Sequence, residues 1–335
     1  MTDPVTFVII VVKLALILFV TLTLAAYMVL AERKILGRIQ SRYGPNRVGP
    51  AGLLQPLADV IKLLTKEDII PDGVDGPLFY IAPVIVAGTV LLSFAVVPFG
   101  APIVIAGREV AMPVIDLNVG VLYFFALSSL GVYGVALAGW SSGSKYSLLG
   151  GIRGSAQMIS YELSMGLAVV PVVMLAGSFS LTDIIAAQVR LPFVVYSPLG
   201  FLIFLISIAA ESKRVPFDLP ESENELVAGY HTEYSGMRFG LFFIGEYVNI
   251  IVLSALAVTF FLGGWLGPGP AWLSFFWFFI KSAVVAFLFI WVRATLPRLR
   301  YDQLMHFGWK WLVPLSLVNV LLTGAMALFF GWGRR

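Results

Sequence analysis

A chain of 335 residues that is 59% hydrophobic, only 12% charged and has a mean hydropathy of +0.93 is expected to be a polytopic membrane protein, since soluble domains are about a quarter charged. Its net charge of +3 is small and set by loop arginines, so it gives no argument for nucleic acid as a partner. The absence of cysteine excludes disulfides, thiolate iron–sulfur ligation and a cysteine nucleophile, and two histidines, His231 and His306, are too few for a histidine-built metal or haem site.

A bilayer core of about 30 Å takes about 20 apolar residues per helix. Eight segments meet that length: 4–31, 77–100, 117–140, 155–177, 193–212, 239–262, 275–293 and 310–332. The expected fold is all-α, with eight transmembrane helices in one membrane domain over residues 1–335. The run from Pro4 to Ala31, broken only by Lys13, is expected to be a retained first span, because a signal-peptide core is only about 7–15 residues long. Loops after spans one, three, five and seven hold most of the 22 lysines and arginines, and those after two, four and six hold only Arg108 and Arg190. The positive-inside rule then puts the odd loops in the cytoplasm and both termini outside, with Arg334 and Arg335 mildly against it. Lys13 and Lys281 fall inside spans, and the sequence assigns neither a role.

The outer loops are short and rich in Pro and Gly, as in Gly267-Pro268-Gly269-Pro270, so polar chemistry is expected on the inner side. The first inner loop, 32–76, carries turn chemistry at Gly44-Pro45-Asn46 and Gly49-Pro50. Beyond it, Leu53, Leu57, Ile61 and Leu64 recur at helical spacing, while Gln55, Asp59, Lys62 and Lys66 fall on another face. This pattern predicts a short amphipathic helix on the membrane surface, with Pro56 near its start, where proline is tolerated.

The stretch Glu211–Gly236 stands out between two greasy segments. It holds Glu211, Asp218, Glu221, Glu223, Glu225 and Glu233, six of the chain's 19 acids. Val215-Pro216-Phe217 and Leu219-Pro220 interleave apolar and rigid residues with those acids, a sign of packing rather than of a solvated charge run. Glu162, Glu211 and Glu246 interrupt apolar spans near their inner ends. An ionisable group there costs roughly 2.5–3.5 kcal/mol or more unless it faces a polar interior. Two readings are open: each acid is paired with an arginine where helices pack, or the three share a hydrated cavity in which carboxyls hold and pass protons. Arg33, Arg38, Arg42, Arg214, Arg293, Arg298 and Arg300 lie on the same side, and the mix suits a partner interface or a polar-headed amphiphile. His231 and His306 are expected at the surface or in pairs, and the Phe275–Phe279 run as an interfacial belt. Gly150, Gly151 and Gly154 lack the lysine and the preceding strand of a phosphate loop.

These residues carry a resemblance. AERKILGRIQSRYGPNRVGPAGLLQPLADVIKLLTKE at 31–67, GWSSGSKYSLLGGIRGSAQMISYE at 139–162, AESKRVPFDLPESENELVAGYHTEYSG at 210–236, GEYVNII at 245–251 and LPRLRYDQLMHFGWK at 296–310 closely resemble the H subunit of bacterial respiratory complex I and its mitochondrial counterpart. The match spans almost the whole chain. The resemblance implies the heel of the membrane arm of a proton-pumping NADH:quinone oxidoreductase in the bacterial inner membrane. Its substrate would be a quinone, ubiquinone or menaquinone, with no FMN, iron–sulfur cluster or metal held by this chain and no catalytic residue in this chain alone. Glu32, Arg33, Arg42, Arg214, Asp218 and Arg293 would line or gate the quinone tunnel. Asp218, Glu221, Glu223 and Glu225 would form an acidic funnel, continued by Asp59, Glu162, Glu211, Glu233 and Glu246 as a proton path. The implied partners are the peripheral-arm subunits that enclose the quinone chamber, the iron–sulfur subunit, the small membrane-arm subunits, the antiporter-like subunits and membrane lipids. The alternative is the homologous anchor and ion-path subunit of a membrane-bound hydrogenase. An independent transporter would show internal repeats, and the two halves show none.

Overall fold

The computed structural model describes residues 4–105, 108–110, 112–221 and 223–330, and the side chains of 4–9, 103–105, 108–110, 223, 224, 271 and 330 lie outside that description. The first helix, α1 (Pro4–Ile39), has 36 residues. At 1.5 Å per residue it is about 54 Å long and outruns the bilayer core. The sequence places a span end at Ala31, but no proline follows before Pro45, and the helix runs on through Glu32 and Arg33 to Ile39. The predicted surface helix is α2 (Gln55–Thr65), with Pro56 in its first turn and Leu57, Ile61 and Leu64 exposed.

Next come α3 (Gly76–Ser93) and a small antiparallel hairpin, β1 (Ile103–Ile105) with β2 (Arg108–Val110), in which Val104 faces Glu109. The hairpin is the one departure from the all-helical expectation among the described residues. The rest is helical: α4 (Gly120–Ser141), α5 (Lys145–Ala176), α6 (Leu181–Ala187), α7 (Phe193–Tyr196), α8 (Pro198–Glu211), α9 (Glu223–Leu226), α10 (Gly236–Phe261), α11 (Ser274–Thr295), α12 (Tyr301–Phe307) and α13 (Val313–Phe330). A π-helical turn, Gly308–Leu312, joins the last two.

Among the described residues seven helices are long and apolar enough to cross a membrane, and the fold is that of a polytopic helical membrane protein. The expected span at 193–212 is different. Pro198 starts a new helix, and α8 has 14 residues, about 21 Å against a core of about 30 Å. Helix α5 begins ten residues before the expected span at 155. Its glycines explain why a stretch that reads as loop is helix. A Cβ on Gly151 would sit 3.0 Å from the Gly139 Cα of α4, and one on Gly150 would sit 2.7 Å from the Tyr230 backbone nitrogen. Small residues here let two helices and the acidic loop touch backbone to backbone.

The hub is α10, whose C-terminal stretch, from Val252 to Phe261, is buried on every side. A helix apolar all round belongs inside a bundle. The two lysines within spans find carbonyl partners. Lys281 donates to the carbonyls of Leu262 at 2.7 Å, Gly264 at 3.2 Å and Leu266 at 2.6 Å, covering the orphan acceptors just past the end of α10. Lys13 donates to Pro113 O at 2.8 Å.

Candidate functional site

The acidic loop is held in place by its apolar residues. Tyr230 and Tyr234 sit in a core formed with Phe79, Val86, Val135 and Met158, and the Tyr234 ring stacks on Phe79 at 4.0 Å. Gln157 of α5 is fully buried and donates to Ala210 O at 2.8 Å and Phe217 O at 2.7 Å, so one side chain fixes the end of α8 and the far side of the turn. Lys213 adopts a left-handed backbone, φ 52°, which ends α8. After that turn the neighbouring cations diverge: Lys213 donates to the Tyr230 hydroxyl at 3.2 Å, and Arg214 runs towards α1 and α10.

Arg214 is the centre of a buried charge cluster. Its Nη1 donates to Glu32 Oε1 at 3.2 Å, and its guanidinium lies 4.4 Å over the Tyr247 ring. Its Nε is 2.7 Å from Glu246 Oε1, but the N–H does not point along the contact, so this is an ion pair without a hydrogen bond. Glu32, 4% exposed, also accepts from Tyr247 Oη at 2.6 Å and from Arg293 Nη1. Two carboxylates and two guanidiniums from α1, α10, α11 and the acidic loop thus neutralise one another, with Arg293 the most exposed of the four. Buried charges are tolerated when paired in this way.

A cavity of about 440 Å³ opens beside the cluster, lined by Glu32, Arg33, Arg214, Asp218, Glu221, Tyr230, His231, Glu246, Tyr247, Arg293 and Arg298. Asp218 pairs with Arg298 at 2.9 Å, yet burial pushes its carboxyl up to about 6 against the pull of that arginine. Burial also raises Glu221, which accepts from the Tyr230 hydroxyl at 3.2 Å, with Lys213 pulling the other way. Three enclosed polar atoms on cavity-lining residues, Arg214 Nη2, Asp218 Oδ1 and His231 Nδ1, meet no protein hydrogen-bond partner.

A second, smaller cavity of about 40 Å³ shares Glu246 with the first and is also lined by Glu211, Lys213, Ser128, Thr89 and Asn249. It has room for about three waters. Glu211 accepts from Ser128 Oγ at 3.1 Å, and its Oε2 is enclosed without a protein partner. Glu162, close enough for its charge to repel that of Glu211, accepts from Ser129 Oγ at 2.7 Å. Ser129 is exposed and Glu162 half-buried, so this line of groups reaches the flank of the α4–α5 pair.

The structure brings together Glu32, Arg33, Arg214, Asp218, Arg293, Glu221 and Glu246 around one cavity, and Glu211 and Glu246 around the next. It places other residues apart. Arg42 is exposed and donates to Gln40 Oε1 at 2.8 Å. Asp59, on α2, pairs with Arg33 at 2.9 Å. Glu225 pairs with Arg153 at 2.8 Å, Glu233 is half-buried just before α10, and the side chain of Glu223 lies outside the described residues. His231 lines the charged cavity instead of lying at the surface. The sequence reading passes over Ser128, Ser129, Gln157, Lys213, Tyr230 and Tyr247. The serine pair and Gln157 had a signal, since polar side chains in apolar spans seek a partner. The tyrosines had none, because their hydroxyl partners come from distant segments.

This is the architecture of an integral membrane protein: a helical bundle with a buried ion cluster, a charged cavity beside it, and further carboxyls, Glu211 and Glu162, held by serines within the bundle. The sequence profile of the NADH dehydrogenase family matches residues 12–324. An H subunit of NADH-quinone oxidoreductase from Geobacter metallireducens is 69% identical over 93% of this chain and 94% of its own. One from Geobacter sulfurreducens is 67% identical over 95% and 96%, and one from Syntrophotalea carbinolica is 64% identical over 97% and 98%. The chain belongs to the family of NADH-quinone oxidoreductase H subunits, and it is an integral membrane component that works with the other subunits of that complex.

Proposed function

We propose that the 440 Å³ cavity receives the head of a quinone and that the carboxyls leading from it form the first part of a proton path. The observation that carries this reading is that one buried carboxyl, Glu246, lines both cavities. The wall suits a quinone, ubiquinone or menaquinone alike. Arg214 and Arg293 offer donors to carbonyl oxygens, and Phe239, Phe242 and Phe243 offer apolar surface to the ring. The electron donor belongs to another subunit, in keeping with a chain that has no cysteine.

Reduction of a quinone to its hydroquinone takes up two protons and transiently adds negative charge beside Glu32 and Arg214. Charge arriving there competes with Glu246 for Arg214, to which Glu246 is ion-paired at 2.7 Å. A loosened Glu246 then exchanges a proton with the waters of the small cavity, and so with Glu211. The Ser128 hydroxyl serves both states of Glu211, because it donates to an ionised carboxylate and accepts from a protonated one. Glu162, on the flank, hands the proton to a neighbouring antiporter-like subunit. In this arrangement the peripheral-arm subunits close the cavity from the cytoplasmic side, both termini face the periplasm of a bacterial inner membrane, and the chain acts as one membrane domain. A bare hydrogenase anchor would leave the unpaired polar atoms of the cavity without an occupant.

The test is Glu211→Gln and Glu246→Gln in the assembled complex, with quinone reduction and proton translocation both measured. Each variant is expected to lower both activities by about tenfold or more. Unchanged activities in both variants would reject the path.

A further inference from the structure

One group in the cavity wall is neither acid nor arginine. His231 closes the short turn Gly229–His231, and its imidazole is sandwiched between rings, 4.9 Å edge to face from Tyr230 and 5.3 Å from Phe239. The charged groups that line the cavity with it are Glu32, Arg33, Arg214, Asp218, Glu221, Glu246, Arg293 and Arg298, and Lys213 lies against Tyr230. Burial drops the imidazole to about 4, against the pull of Glu246, so it is neutral at the pH where the complex works. A neutral imidazole carries one donor and one acceptor. The other two hydroxyl-bearing rings of the wall are already engaged: Tyr230 donates to Glu221 and Tyr247 to Glu32.

The enclosed His231 Nδ1 meets no protein partner. Leaving such an atom unsatisfied costs about 1–3 kcal/mol. The broad χ2 torsion of histidine lets the ring turn that nitrogen towards the cavity and a water.

We propose that His231 is a positioning residue whose neutral imidazole orients the water joining Glu221, on the loop side of the cavity, to Glu246, at its inner end. The proton leaves a protonated Glu221 carboxyl, passes along the water and arrives on the Glu246 carboxylate. The ring donates one hydrogen bond and accepts another, and keeps its own charge throughout. This rests on the proton-path reading above and adds to it an uncharged member.

Two variants in the intact complex separate hydrogen bonding from packing. His231→Phe keeps a ring between Tyr230 and Phe239 but removes both nitrogens. His231→Gln keeps a neutral donor and acceptor but removes the ring. NADH oxidation by a soluble artificial acceptor reports assembly and electron entry, and reduction of a decyl-substituted benzoquinone with proton translocation reports the path. His231→Phe is expected to lower coupled quinone reduction by about tenfold and to raise its solvent isotope effect, while His231→Gln stays within about threefold of the parent. Parental activity in His231→Phe, or equal impairment in His231→Gln, overturns the proposal. Glu246→Gln is run in parallel: if it is impaired and His231→Phe is not, only the histidine's role fails, and if neither is impaired the path itself fails. Should His231→Phe not assemble, infrared difference spectra on quinone reduction decide. A neutral-imidazole band present in the parent and absent from His231→Gln supports the role, and no such band overturns it.

Discussion

At the head of the bundle Glu32 and Glu246 share one arginine, whereas Glu211 and Glu162, further along, each accept a single serine hydroxyl and, among the described residues, make no ion pair. The two regions hold carboxylates in opposite ways. The first is a closed circuit of charges in which every member depends on the others. The second is a row of carboxyls with a partner that suits either protonation state. A buried ion cluster fixes geometry, and a serine-held carboxyl leaves charge free to change. One chain therefore holds a closed charge cluster around Arg214 and a serine-held carboxyl at Glu211 three positions apart.

The sharpest way to break the comparison is to remove the shared cation. Arg214→Met leaves Glu246 without its ion pair and Glu32 with only Arg293, and the loss of one member of such a buried pair is expected to cost about 3–5 kcal/mol. The amount of intact complex on native gels should fall severely. Adding Glu246→Gln to Arg214→Met removes the stranded charge and should restore much of it, and no recovery would mean that packing, not charge, explains the loss.

Glu32→Gln is next in size. It leaves Arg214 with Glu246 but strips Arg293 of its carboxylate, so assembly should suffer less while quinone reduction falls about tenfold or more. Smaller still is Ser128→Ala in the relay region. Losing one hydrogen bond should cost about 1 kcal/mol and leave assembly normal. Proton translocation should slow severalfold more than electron entry does, and a large assembly defect would place Ser128 with the rigid cluster instead.

The smallest effect is in pH dependence. His231 in the folded chain titrates near 4, below its unfolded value of 6.5, so the unfolded chain binds more protons in that window. Its contribution to stability is present above 6.5 and is lost as pH falls towards 4. Asp218, raised to about 6 from 3.8, works the other way: its contribution is present below 3.8 and is lost as pH rises through 6. Thermal unfolding of the complex should therefore become less acid-sensitive in His231→Gln and more acid-sensitive in Asp218→Asn.

Much of this was legible in the residues. Apolar run lengths gave seven of the spans, because a segment that meets lipid along its length must be apolar along its length. Helical spacing gave the surface helix at 55–65. The acids of 211–236 and the arginines beyond 293 stood out because charge is rare in such a chain. Helix ends were less legible. Glycine-rich 145–154 reads as loop, and only its contacts with Gly139 and Tyr230 make it helix.

The sequence by itself determined that this is a helical membrane protein with its charges gathered in a few stretches, since hydropathy and charge density are properties of segments. Which carboxylate meets which cation was decided only by the tertiary structure. Glu32 and Arg214 are 182 positions apart, and Glu32 and Arg293 are 261 apart. A charge in a low-dielectric interior is governed by the few groups within contact distance, and no pattern along the chain records which distant groups those are.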